Sequence, residues 1–178
     1  MKIKPIICRW FIAAWLSFFS LLLTHICYAE PVPEYKIKVA FLYNFIQLTE
    51  WPKSVEDSLR LCTIGKNEID EAINEIDGNE ANRRHIKVIH LETLSAVGAC
   101  EVLYLGETEL LDIKSILNKL GDAPVLTVSD NLDLMKSGVM INMYPENHRL
   151  AFSVNVESAK HAHLTLSSRL VRLAKHTN

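Results

Sequence analysis

Of the residue types able to do chemistry, Cys62 and Cys100 stand out, because the other two cysteines, Cys8 and Cys27, fall in the N-terminal segment. An even pair in an oxidising compartment reads as a disulfide. Closing the 38 residues between them stabilises a domain by about 4 kcal/mol in the chain-entropy model. Two buried free thiols are the alternative. A two-ligand metal site is the poorer reading, since no Cys or His stands at CxxC or HxxxH spacing beside either cysteine.

The remaining candidates point to binding rather than catalysis. His161 and His163 are two apart, which sends them to different faces of a helix. His148 sits in a turn, and His85 and His90 flank a strand. Ser129-Asp130 and Ser167-Ser168-Arg169 lack a histidine or second carboxylate at a telling spacing, and there is no GxSxG. Gly65 follows a strand, but neither GxGxxG nor GxxxxGK[ST] surrounds it, so nothing there cradles a phosphate. Neither an enzyme nor a cofactor is expected. Asn44 lies mid-helix, where asparagine is intrinsically poor. It and Asn155 are polar points in apolar segments, suited to hydrogen-bonding buried backbone or a ligand. Trp51 reads as a core lid or an interface anchor. Asp130 ends a parallel strand, a common site position and a common loop cap. Arg169 is a candidate anion contact.

These residues need elements to hold them. Residues 34–49 place Ile37, Phe41, Phe45 and Leu48 at helical spacing, and Trp51-Pro52 stops the helix. Strands are expected over Leu59–Gly65, Ile86–Leu91, Cys100–Gly106 and Pro124–Asp130, with helices over Glu68–Ile76 and Glu109–Leu120, the latter closed by Gly121. Residues 131–138 read as a polar loop with a helical turn. Val139–Tyr144 and Arg149–Val154 read as an antiparallel hairpin joined by Pro145–His148. A long helix is expected over Val156–His176, with Ala159, Ala162, Leu166, Leu170 and Leu173 on one face. Alternating strands and helices predict a mainly parallel sheet covered on both faces.

The N-terminus decides the compartment. Lys2, Lys4 and Arg9 precede an apolar run from Trp10 to Ile26, and Ala29 follows at the end, the pattern of a secretory signal peptide. About 17 apolar residues is near the lower limit for a retained membrane anchor. Ile26 is too bulky to precede a lipidated Cys27. Cleavage after Ala29 leaves residues 30–178 as one α/β domain, large enough to bury its own core. With Lys2, Lys4 and Arg9 removed, 16 basic residues face 21 acidic ones, for a net charge near −5. That balance, with no Lys/Arg stripe, argues against nucleic acid and against docking on an anionic leaflet.

In order, AFLYNF (40–45) with Glu50-Trp51-Pro52, LCTIG (61–65), CEVLYLG (100–106), PVLTVSD (124–130), GVMINM (138–143), AFSVN (151–155) and SSRLVRLA (167–174) closely resemble the YfiR family over residues 35–175. The resemblance implies a Rossmann-like, three-layer α/β domain that forms a homodimer in the periplasm. There it would bind the periplasmic region of an inner-membrane diguanylate cyclase, repress it and so lower cyclic di-GMP. It also implies that Cys62 and Cys100 form the family's structural disulfide. Some members carry a second pair towards the C-terminus, and this chain has no cysteine after Cys100. A periplasmic small-molecule sensor or carrier, with a pocket near Gly65, Gly106 and Asp130, is the alternative. The leader reading has a direct check: intact mass of the exported protein should match residues 30–178, and an unprocessed N-terminus would refute it.

Overall fold

A computed structural model describes residues 31–52, 57–64, 68–106 and 112–177, with Met135 as backbone alone. The chain divides into Met1–Pro31 and Val32–Asn178. The expected leader, Gly65 and the expected helix start at Glu109 lie outside the described residues. Among those described, no helix is long and apolar enough to cross a membrane.

The domain opens on α1 (Glu34–Gln47). Its buried face is Val39, Leu42, Phe45 and Ile46. The expected stripe is therefore rotated: Phe45 faces the core, Phe41 and Leu48 lie at its edge, and Ile37 is exposed. The helix ends before Trp51 because Asn82 donates its amide to both Ile46 O and Thr49 O, at 2.8 Å each. Thr49–Glu50 then becomes the short strand β1.

The main sheet is built from β2 (Ser58–Ile64), β3 (Glu80–Ala81), β4 (Arg84–Leu91), β5 (Val102–Leu105), β6 (Leu126–Ser129), β7 (Ile141–Glu146), β8 (Arg149–Val154) and β10 (His176–Thr177). Its order is β10-β8-β7-β6-β5-β2-β4-β3. Pairings β2–β4, β2–β5, β5–β6, β6–β7 and β8–β10 are parallel, while β3–β4 and β7–β8 are antiparallel. The sheet is therefore mainly parallel, as expected, and mixed at its ends. Helix α2 (Asp70–Ile73) runs into a 3-10 turn over Asn74–Ile76, and α3 (Ile113–Leu120) is capped by Asp112 and closed by Gly121 at φ 52°.

Side chains alternate between two cores. Leu59, Leu61, Val102, Tyr104 and Val128 join α1 in one, while Cys62, Ile64, Leu103 and Leu105 join α3 in the other. Such continuous apolar strands belong to a sheet buried on both faces. The β7–β8 hairpin turns tighter than expected. Pro145 and Glu146 stay in the ladder, opposite Leu150 and Arg149. Only Asn147 and His148 make the turn, both at positive φ, as a two-residue type I′ connection demands.

The long C-terminal helix is not formed. Helix α4 stops at His161, after only Val156–His161. His163 takes the left-handed conformation at φ 56°. Its N–H reaches Lys160 O and that of Leu164 reaches Ala159 O. Those two bonds are a Schellman closure, with buried Leu164 as its apolar contact. The chain then pairs β9 (Thr165–Leu166) with β1. Ser167 caps α5 (Ser168–Leu173) through Leu170 N. Leu173, expected on a buried face, is 60% exposed.

Just before β5, Cys100 is disulfide-bonded to Cys62 within β2, with Cα atoms 5.9 Å apart, and both are buried. Next to them Glu101 grips Arg60. Its carboxylate accepts Arg60 Nε and Nη2 at 3.1 and 3.0 Å, the Arg60 backbone N–H at 2.8 Å and Arg84 Nη2 at 3.2 Å. Burial alone would raise the Glu101 pKa, but the Arg60 and Arg84 contacts outweigh it and hold the carboxyl below its ordinary value.

Two measurements follow. Cys62→Ser with Cys100→Ser should lower stability to chemical denaturation by up to about 4 kcal/mol, and an unchanged midpoint would show that the bond stabilises nothing. Because the folded pKa of Glu101 is depressed, its contribution is present above the unfolded pKa near 4.5 and lost as pH falls through the folded value. Glu101→Gln should therefore be the less stable protein at pH 7, with the gap closing as the pH drops below about 4.5.

Candidate functional site

The expected site residues separate into four places. Trp51 belongs to the amino end of the sheet. Its ring is half-buried against the α1 core, and its indole N–H donates to Glu101 O at 3.1 Å. Asn155 caps α4: its Oδ1 accepts Ser158 N at 2.9 Å while its own N–H reaches Met140 O at 2.7 Å. Both side chains are committed to holding backbone.

Asp130 follows β6 at the carboxyl end of the sheet, one strand from the point between β5 and β2 where the strand order reverses. In open α/β sheets ligands favour such a switch point. Lys38 of α1 pairs with Asp130 Oδ2 at 2.7 Å, and both side chains are largely buried. Burial would lower the Lys38 pKa, yet Asp130 and then Glu34 raise it above its ordinary value. Tyr104 of β5 is fully buried nearby, and burial, with the Asp130 charge adding, pushes its phenol far above the usual range. On β2 and β4, Thr63 Oγ1 and His90 Nδ1 lie 2.9 Å apart, and His90 Nδ1 is 3.7 Å from Asp70. Among the described residues, Asp130 Oδ1 is buried without a hydrogen-bond partner. Gly106 is buried at the end of β5, and Gly65 lies outside the described residues. Among the described residues no three His, Cys, Asp or Glu side chains converge to hold a metal.

Asn44 and Arg169 do come together. They line a cleft of about 470 Å³ between α1 and α5, with Phe41, Tyr43, Phe45, Gln47, Leu48, Phe152, Leu170 and Leu173. Its floor is aromatic. The Phe41 ring lies edge-on to Phe45 and to Phe152 at 6.0 Å each, and Phe45 and Phe152 are 4.9 Å apart. Edge-to-face contacts of this kind hold aromatic rings in register. Donors on the α1 wall are engaged: Asn44 Nδ2 donates to Ala40 O at 2.7 Å, Gln47 Nε2 to Tyr43 Oη at 2.8 Å, and Tyr43 Oη to Glu80 O at 2.8 Å. Arg169 is exposed at the rim.

The sequence signal for this cleft was the apolar stripe on α1, since Phe41, Phe45 and Leu48 all line it. Phe152 and Leu170 carried no such signal, because a buried strand and a helix face look the same whether they meet core or cleft. The Arg60–Glu101–Arg84 cluster had none either.

Among solved structures, that of a conserved domain protein from Vibrio cholerae O1 biovar El Tor aligns with a TM-score of 0.56 at 7% identity, covering 84% of this chain and 62% of that one. At that identity the likeness is one of fold, and this chain spans less than two thirds of the other's length. A model of the YfiR/HmsC-like family matches residues 35–175, nearly the whole described domain. The Cys62–Cys100 bond suits the oxidising compartment in which such domains work. The chain belongs to the YfiR/HmsC-like family of periplasmic regulatory domains.

Proposed function

We propose that this protein is a periplasmic repressor that binds the periplasmic region of an inner-membrane diguanylate cyclase and so lowers cyclic di-GMP. The family match over residues 35–175 carries the reading. In the same reading, residues 1–29 are a cleaved leader, the domain has the Rossmann-like layering of the family and forms a homodimer, and it does no catalysis.

The mechanism is linkage. A repressor shifts a cyclase only by the difference in its affinity for the inactive and active states. A fivefold shift needs about 1 kcal/mol of such coupling. A domain held by a buried disulfide and a cleft with a rigid aromatic floor suit that task, because a preordered surface spends little of its binding energy on ordering itself. A small-molecule sensor is the second reading, supported by Asp130 Oδ1, which is buried at the carboxyl end of the sheet with no hydrogen-bond partner among the described residues.

Cellular cyclic di-GMP should rise when the gene is deleted in its native host and return when it is restored. No change, with the protein confirmed as exported, would overturn the repressor reading. A small molecule that then raised the melting temperature of the wild type but not of Asp130→Asn would favour the sensor.

A further inference from the structure

The cleft between α1 and α5 has an apolar interior and a basic edge. None of its lining residues is acidic, and Arg169 is the one charged residue among them. On the same face of α5, one turn on, stands Arg172, with exposed Leu173 beside it. Neither arginine forms an ion pair among the described residues, whereas Lys160 and Lys175 of the same region are paired with Glu157 and Glu146. The imbalance extends beyond α5: residues 147–178 carry five Lys/Arg against one Glu, although the chain as a whole has more acids than bases.

These features select the occupant. Sites for small molecules combine an apolar wall with a few buried polar groups that fix the ligand's orientation. Here the polar groups of the α1 wall are not buried: Asn44 and Gln47 are exposed, and their amide nitrogens and the Tyr43 hydroxyl already donate to neighbouring protein groups. What the cleft offers is an aromatic floor, an exposed leucine at its lip, and two guanidinium groups, Arg169 at the rim and Arg172 beside it, with no ion pair among the described residues. That set matches a protein segment which drops an apolar side chain into a pocket and sets a carboxylate on the rim, as amphipathic helices do in grooves. Guanidinium is well matched to a carboxylate.

We infer that the α1–α5 cleft is the docking surface for an amphipathic segment of the regulated protein, its apolar side chains against Phe41 and Phe152 and its acidic side chain against Arg169 and Arg172. Naming a diguanylate cyclase as that protein rests on the repressor reading above.

The test places a photo-crosslinking benzoylphenylalanine at Leu173 of the full-length chain in the native host and maps the adduct by mass spectrometry. Leu173 is 60% exposed, so the substitution leaves the core intact. The expected adduct is a segment of the periplasmic part of an inner-membrane protein that carries Asp or Glu beside its apolar residues. Adding Arg169→Glu should reduce its yield roughly tenfold, the scale of a lost interfacial charge contact, and Arg149→Glu on the β7–β8 hairpin should leave it unchanged. An adduct with a second copy of this chain, an adduct insensitive to Arg169→Glu, or no adduct would overturn the inference. The two readings fail separately. If deletion raises cyclic di-GMP but Arg169→Glu with Leu173→Asp, folded and exported, represses normally, the repressor stands and the cleft falls. If the adduct maps to a membrane protein that is not a cyclase, the cleft stands and the cyclase falls.

Discussion

The seating of β5 on β2 is the constraint on which the rest of the domain depends. The chain pairs β3 with β4 at one end of the sheet, crosses back, and lays β5 on the other side of β2. Three contacts in adjacent residues fix that landing: the disulfide from Cys100 to Cys62, the Glu101 carboxylate on Arg60, and the Glu101 N–H on Arg60 O at 3.0 Å. Glu101 also receives the next strand and the preceding loop, since its carbonyl accepts both Leu126 N and Trp51 Nε1. Strands β6, β7 and β8 follow outward from β5, so the position of Phe152 under the cleft is inherited from this junction. Pairing between distant segments costs loop-closure entropy before any contact rewards it. Covalent and charge-assisted contacts at one point offset that cost.

Helix α1 serves two surfaces with one apolar arc. Val39, Leu42 and Ile46 fill the core, Phe45 is shared, and Phe41 and Leu48 turn toward the cleft. A helix that only covers a sheet needs a narrower stripe. The surplus lines the cleft, and α5 leaves it uncovered because it is short and ends on exposed Leu173. The two ends of α1 differ in kind: Lys38 pins the first half to Asp130, and Asn82 holds the second half through the carbonyls of Ile46 and Thr49.

Charge is distributed to match. The residues that fix the architecture pair acid with base, Glu101 with Arg60 and Arg84, and Asp130 with Lys38. Arg169 and Arg172 are left over beside an apolar cleft. A surface of that composition steers an acidic partner and sets its orientation more than it adds raw affinity. Such a role suits the proposed repression, in which two states of the target are bound unequally.

By itself, the sequence determined the alternation of strands and helices, the start of α1, the cysteine pair, the closing glycine of α3 and the presence of a late hairpin, because each is written in local periodicity or turn chemistry. It also placed Phe41, Phe45 and Leu48 on one stripe. Only the tertiary structure decided what that stripe faces, which strand lies beside which, and that Asn44 and Arg169 share a cleft. Long-range pairing depends on how distant segments register, and no local pattern encodes it. The break after α4 belongs to the same class. A histidine at φ 56° is an uncommon helix stop, and it is adopted here because burial of Leu164 and the pairing of Thr165–Leu166 with β1 outweigh the helical tendency of the segment.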